Sequence, residues 1–193
     1  MLGGPMREPP TIILHLERLL ALRAAPLIER VLIVDPDVHA AKALSELLRP
    51  IAPAQVWTTA DAAEGLELAR RIDPKSVFVE LDCGVDGAAF TRALRRCGFP
   101  CARAVVIAAT GAPTLASLIR ARDCGAHEAL RKPYVQGELV RRLAAAGSDK
   151  RAWIEVETYV GPDRRRFNAG DYAGPWRRAG DHETAITDLP PAA

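Results

Sequence analysis

Lysine is scarce in this chain of 193 residues. Only Lys42, Lys75, Lys132 and Lys150 accompany the arginines that make up the rest of its 26 basic side chains. With 24 acidic residues the net charge is +2, too balanced for the whole molecule to bind nucleic acid through a polybasic surface. No helix-turn-helix segment follows the main domain, so DNA is not an expected partner. Apolar runs fall well short of the roughly 18 residues that span a bilayer, so membrane insertion is not expected. The four cysteines, Cys83, Cys97, Cys101 and Cys124, form no Cys-x-x-Cys pair, which argues against a zinc site. In a chain long enough to bury its own core they read as reduced thiols and point to the cytoplasm. The N-terminus lacks signal-peptide form, because Glu17, Arg18 and Arg23 break the apolar stretch that follows Glu8.

Hydrophobic residues at 49% and charged residues at 26% are ordinary for a globular domain. Thr11 to Leu22 places its leucines and isoleucines along one broad helical face, an amphipathic helix that could pack on the domain or on a second copy. From Arg30 the chain alternates between two periods. Apolar, β-branched runs at 31–34, 55–59, 77–81, 104–109 and 128–130 read as buried strands. Segments with helical spacing follow at 40–48, 61–72, 88–96, 113–124 and 136–146, with Asp61 placed as an N-cap and Gly125 as a terminator. Five βα repeats with right-handed crossovers make a doubly wound α/β domain with a parallel sheet.

The chain therefore divides into an N-terminal extension (1–29), a domain (30–147) and a C-terminal extension (148–193). In the last part, Trp153 to Tyr159 reads as one further strand, and disorder is expected from Asp181 onward. A peptide element is duplicated there: Tyr159-Val160-Gly161-Pro162-Asp163-Arg164-Arg165 recurs as Tyr172-Ala173-Gly174-Pro175-Trp176-Arg177-Arg178.

In open α/β sheets the carboxyl ends of the strands build the site. Here they carry Asp35 (with Asp37 two residues on), Glu80, Thr110 and Lys132-Pro133. Carboxylates, a hydroxyl and an ammonium converging on one pocket suit a divalent cation or a phosphoryl group.

Together with the VLIVD strand, the Gly84-Val85-Asp86-Gly87 turn, the VVIAATG strand and the Cys-Gly-Ala stretch before Lys132, these residues resemble a bacterial response-regulator receiver domain of the stand-alone, chemotaxis type. The resemblance implies a flavodoxin-like five-stranded sheet of order 2-1-3-4-5 and a pocket of Asp35, Asp37, Thr110 and Lys132. It also implies a phosphoacceptor at the end of the third strand. Strand register puts Glu80 there, with Asp82 as the alternative, and Mg²⁺ is a candidate ligand of Asp35 and Glu80. Three positions depart from the family pattern. Pro36 replaces the second acid, Glu80 is one methylene too long for the usual Asp, and Ala129 stands where a switch aromatic is usual.

The resulting expectation is a degenerate, non-enzymatic receiver acting as an adaptor in two-component signalling. Its partner would be a kinase or a downstream target. The alternatives are a working phosphoacceptor through Glu80 or Asp82, and an effector that binds a cyclic dinucleotide. Arg120, Arg122 and Arg131, with Arg164, Arg165, Arg166, Arg177 and Arg178 in the tail, are the candidate partner or anion contacts, since arginine forks pair with carboxylates and phosphates. The N-terminal helix is a candidate homodimer contact.

Overall fold

A computed structural model describes residues 11–82 and 84–164. Five parallel strands, β1 (Arg30–Val34), β2 (Gln55–Thr59), β3 (Ser76–Glu80), β4 (Val105–Thr110) and β5 (Glu128–Arg131), form one sheet of order β2-β1-β3-β4-β5. This is the expected flavodoxin-like doubly wound arrangement. The crossovers are α2 (Val38–Leu48), α3 (Ala62–Ile72), α4 (Gly87–Arg95) and α5 (Leu115–Cys124), and α6 (Gln136–Gly147) follows β5.

The period-2 alternation of the strands divides the core. Val31, Ile33, Phe78, Ile107 and Leu130 face one side, packing with Leu44 and Leu48 of α2 and with Leu139 and Leu143 of α6. Leu32, Val34, Val77, Val79, Val106 and Ala108 face the other, with Leu68, Phe90 and Leu94 from α3 and α4. Burial of this kind contributes roughly 1.5–3 kcal/mol for each large side chain. The helix ends follow local chemistry. Asp61 accepts the Glu64 N–H at 2.8 Å to start α3. Gly125 ends α5 at φ 96°, a left-handed conformation that costs glycine nothing.

The described parts of both extensions, 11–29 and 148–164, pack on the domain. The N-terminal helix, α1 (Thr11–Ala24), packs against α6, and Ala24 and Ile28 are fully buried. Its Leu16, Leu19 and Leu22 remain exposed. No described helix is long and apolar enough to cross a membrane.

The C-terminal extension differs from the single strand expected over 153–159. It forms an antiparallel hairpin of β6 (Trp153–Val156) and β7 (Tyr159–Pro162). Residues Tyr159–Pro162 of the first copy of the duplicated element thus form a strand docked on the domain. Tyr159 and Val160 are buried, and Tyr159 Oη donates to the Pro162 carbonyl at 2.5 Å. The second copy, with Arg177 and Arg178, lies outside the described residues, as do Arg165, Arg166 and the stretch from Asp181.

Arg95, which is only 3% exposed, lies beneath the hairpin. Its guanidinium donates to the carbonyls of Gly125 (3.0 and 2.8 Å), Ala102 (2.6 Å) and Ala104 (2.8 Å). Trp153 lies against Arg95 and Arg103, with ring centroids 5.2 and 4.9 Å from the two guanidinium carbons.

Candidate functional site

Strand parity sorts the side chains at the carboxyl edge. Asp35, just past β1, follows the side of Val31 and Ile33. Glu80 follows Phe78, and Lys132 follows Leu130. All three therefore emerge on the α2/α6 side. Lys132 Nζ lies 2.6 Å from Asp35 Oδ2 and also bonds Glu80 Oε2. The remaining oxygens are taken as well. Asp35 Oδ1 accepts the Asp37 N–H at 2.9 Å, and Glu80 Oε1 accepts the Asp82 N–H at 2.9 Å. Asp35 and Glu80 are 3% and 2% exposed, so their charge is balanced by this one ammonium and two amides rather than by water. Partial burial opposes the charge on Lys132, but its bonds to Asp35 and Glu80 outweigh that and hold its pKa above the usual lysine value.

Thr110 has the opposite parity, shared with Val106 and Ala108, and joins a second cluster. Its hydroxyl bonds Asp82 Oδ2, while Arg120 reaches across from α5 to Asp82 Oδ1 and to the Leu81 carbonyl at 2.5 Å. Arg120, read from sequence as a partner contact, folds over the strand end and keeps 47% side-chain exposure. The pocket is thus two ion-paired clusters, Asp35–Lys132–Glu80 and Thr110–Asp82–Arg120. Asp37 joins neither through its side chain. Its carboxylate caps α2, accepting the N–H groups of His39 (2.9 Å) and Ala40 (3.1 Å). The bond from Ala40 leads the effects that lower its pKa.

Backbone geometry keeps the edge tight. A Cβ on Gly87 would sit 2.0 Å from the Glu80 carbonyl oxygen, so only glycine lets α4 start this close to β3. Pro36, in place of a second acid, packs its ring beside Gly84.

Sequence reasoning did not single out Tyr134, two residues beyond Lys132. Its hydroxyl is buried close to Asp35 and Glu80. Burial and the charges of Asp35 and Glu80 push its pKa well above the usual phenol value. Its place beside the pocket follows from the Lys132-Pro133 turn, which a one-dimensional pattern does not reveal.

These residues do not fit the divalent cation a pocket of this type suggests. A hard cation needs several free oxygens. Here each oxygen of Asp35 and Glu80 has a donor, Pro36 offers no side-chain ligand, and Asp37 is turned to its cap. Among the described residues no group of three or more His, Cys, Asp or Glu side chains could hold a metal ion.

The sequence pattern of the response regulator receiver domain matches residues 31–144, more than half of the chain. The protein belongs to the response-regulator receiver family. Solved receivers share its fold. The chemotaxis protein CheY4 of Vibrio cholerae is 22% identical with a TM-score of 0.55, over 60% of this chain and 96% of that one. A putative response regulator from Chloroflexus aurantiacus is 24% identical with a TM-score of 0.57, over 63% and 99%. A response regulator from Thermotoga maritima is 22% identical with a TM-score of 0.55, over 64% and 100%. No curated protein matches the chain in sequence. The matched residues run from β1 into α6, and α1 and the hairpin lie outside them.

Proposed function

We propose that this receiver is a non-enzymatic cytoplasmic adaptor held in one state, which signals by binding a partner protein rather than by aspartyl phosphorylation. One observation carries the reading: Lys132 bridges Asp35 and Glu80, and all four carboxylate oxygens already have donors. A carboxylate pinned in this way is a poor nucleophile toward an acyl phosphate, because attack requires it to shed its ammonium partner inside a buried site. The alternative acceptor, Asp82, is engaged through both oxygens by Thr110 and Arg120. Ala129 provides no aromatic side chain to follow a change at Thr110.

The surface that supports partner binding runs along α5, β5 and α6. It holds a hollow of about 1040 Å³ with Leu115, Leu118, Ile119 and Ala129 on its apolar part and arginines around it. Arg131 is exposed nearby. Arg122 pairs with Asp123, Arg142 with Glu128 and Glu138, Arg151 with Asp149, and Arg164 with Asp123. Arginines already neutralised this way favour a protein surface of mixed polarity over a cyclic dinucleotide.

The test is direct. The full chain is incubated with a small acyl phosphate and Mg²⁺, and its intact mass is recorded. The expected result is no added phosphoryl group. Stoichiometric, base-labile labelling mapped to Glu80 or Asp82 would overturn the proposal.

A further inference from the structure

Four residues apart in sequence, Cys97 and Cys101 bring their sulfur atoms to 3.5 Å in the turn between α4 and β4. The turn is fixed at both ends. The Cys97 N–H bonds the Leu94 carbonyl at 3.2 Å, and the Cys101 carbonyl accepts the Ala104 N–H at 3.0 Å. Cys97 is partly exposed and Cys101 is 1% exposed. The two thiols therefore differ in access. A reagent from solvent meets Cys97 first, with Cys101 directly behind it.

We infer that Cys97 and Cys101 are a redox-active dithiol, which a peroxide closes into a disulfide across the Cys97-Gly98-Phe99-Pro100-Cys101 loop. The Cys97 sulfur attacks one peroxide oxygen as its thiol gives up its proton. The S–O bond forms as the O–O bond breaks, and the departing hydroxide takes the thiol proton as water. Sulfur of Cys101 then attacks Cys97 sulfur. The S–S bond forms, the S–O bond breaks, and hydroxide leaves with the Cys101 proton as a second water. Two thiols and one peroxide give one disulfide and two waters. Reaching a bond length of about 2.05 Å needs the sulfurs to close by about 1.5 Å, which rotation of the partly exposed Cys97 side chain in a five-residue turn can supply.

Burial, with Cys97 alongside, pushes the Cys101 thiol up to about 12, in keeping with a resolving rather than an attacking role. Cys124 is no competitor on this geometry, since it is buried with Sγ turned to the Ala121 carbonyl at 3.1 Å. The same turn carries the Ala102 carbonyl that Arg95 holds, so closure adds a covalent tether beside the anchor of the C-terminal hairpin. The inference is independent of the phosphorylation reading.

Trypsin cleaves after Arg96 and Arg103, leaving both cysteines in the single peptide 97–103. The full chain is treated with hydrogen peroxide, denatured, alkylated and digested without reductant. The expected product is an unalkylated 97–103 peptide lighter by two hydrogens, restored to a doubly alkylated form by prior thiol reduction. Cys101→Ser should instead leave Cys97 as a sulfenic acid that a dimedone-type reagent captures, and Cys124→Ser should close like the parent chain. Overoxidation of Cys97 with Cys101 still fully alkylated, or pairing of either residue with another cysteine in place of the 97–101 bond, would overturn the inference.

Discussion

Arg95 grips the Gly125 carbonyl with two donors, Nε at 3.0 Å and Nη2 at 2.8 Å. The contact ties α4 to the turn that enters β5, and the hairpin closes over it. Val160 lies so close that a Cβ on Gly125 would stand 2.6 Å from its carbonyl oxygen. Burial lowers the Arg95 pKa to about 10, so the guanidinium stays charged at neutral pH and depends on these carbonyls for solvation.

Replacing Arg95 with Met takes the donor from the carbonyls of Gly125, Ala102 and Ala104 and removes one of the two cations beside Trp153. The expected loss is about 3 kcal/mol or more of unfolding free energy. Amide hydrogen exchange across 153–162 should accelerate more than exchange in β1 or β3. Unchanged hairpin protection would show that other contacts, among them those of Arg96 with the Val156 and Glu157 carbonyls, hold the extension without Arg95.

His127 gives a pH signature. Its Nδ1 accepts the Val106 N–H at 3.1 Å and lies 3.2 Å from Arg95 Nη2, so the ring must stay neutral. Burial first, then the charge of Arg95, pushes its pKa down to about 3, while Asp149 opposes and Arg151 reinforces the shift. The depressed value means that the stabilisation is complete above the unfolded pKa of about 6.5 and is lost as pH falls toward 3. The slope reaches at most about 1.4 kcal/mol per pH unit. Urea midpoints from pH 7 to pH 4 should converge between the parent chain and His127→Asn. A constant gap would contradict the assignment.

Lys132→Met removes the only ammonium at Asp35 and Glu80 and leaves two buried carboxylates facing each other. Because Lys132 itself keeps 18% side-chain exposure, the expected loss at pH 7 is about 2–4 kcal/mol, partly recovered in acid as one carboxylate protonates. In the parent chain the lysine pKa is raised. Its contribution is therefore intact below the unfolded value of about 10.4 and disappears as pH rises through the folded one. Denaturant midpoints across pH 5 to 11 test both signs. Mg²⁺ should stabilise the variant and not the parent.

Much of the fold was legible in the sequence because the strands are apolar and β-branched, and the helices carry their own stops. Asp61 and Gly125 act where local chemistry places them. The grouping of Asp35, Glu80 and Lys132 was equally accessible, since strand ends and alternating parity determine it. The hairpin was not. Gly161-Pro162 has the composition of a turn, and β7 exists because Tyr159 and Val160 find burial against α4 and α5. Arg95 sits between Arg92 and Arg96 and looks like part of a solvated face. Only its spacing from Ala88, Thr91 and Leu94 hints otherwise, and its carbonyl partners come from distant turns. Arg120 carries no sequence signal for its reach to Asp82.

Lys132, rather than a metal ion, balances Asp35 and Glu80. A Mg²⁺ titration of the full chain followed by NMR tests it through the amides of Asp37 and Asp82, which donate to these carboxylates. Both resonances should stay fixed at millimolar Mg²⁺ while those of Lys132→Met shift. Saturable shifts of the two amides in the unmodified protein would contradict it.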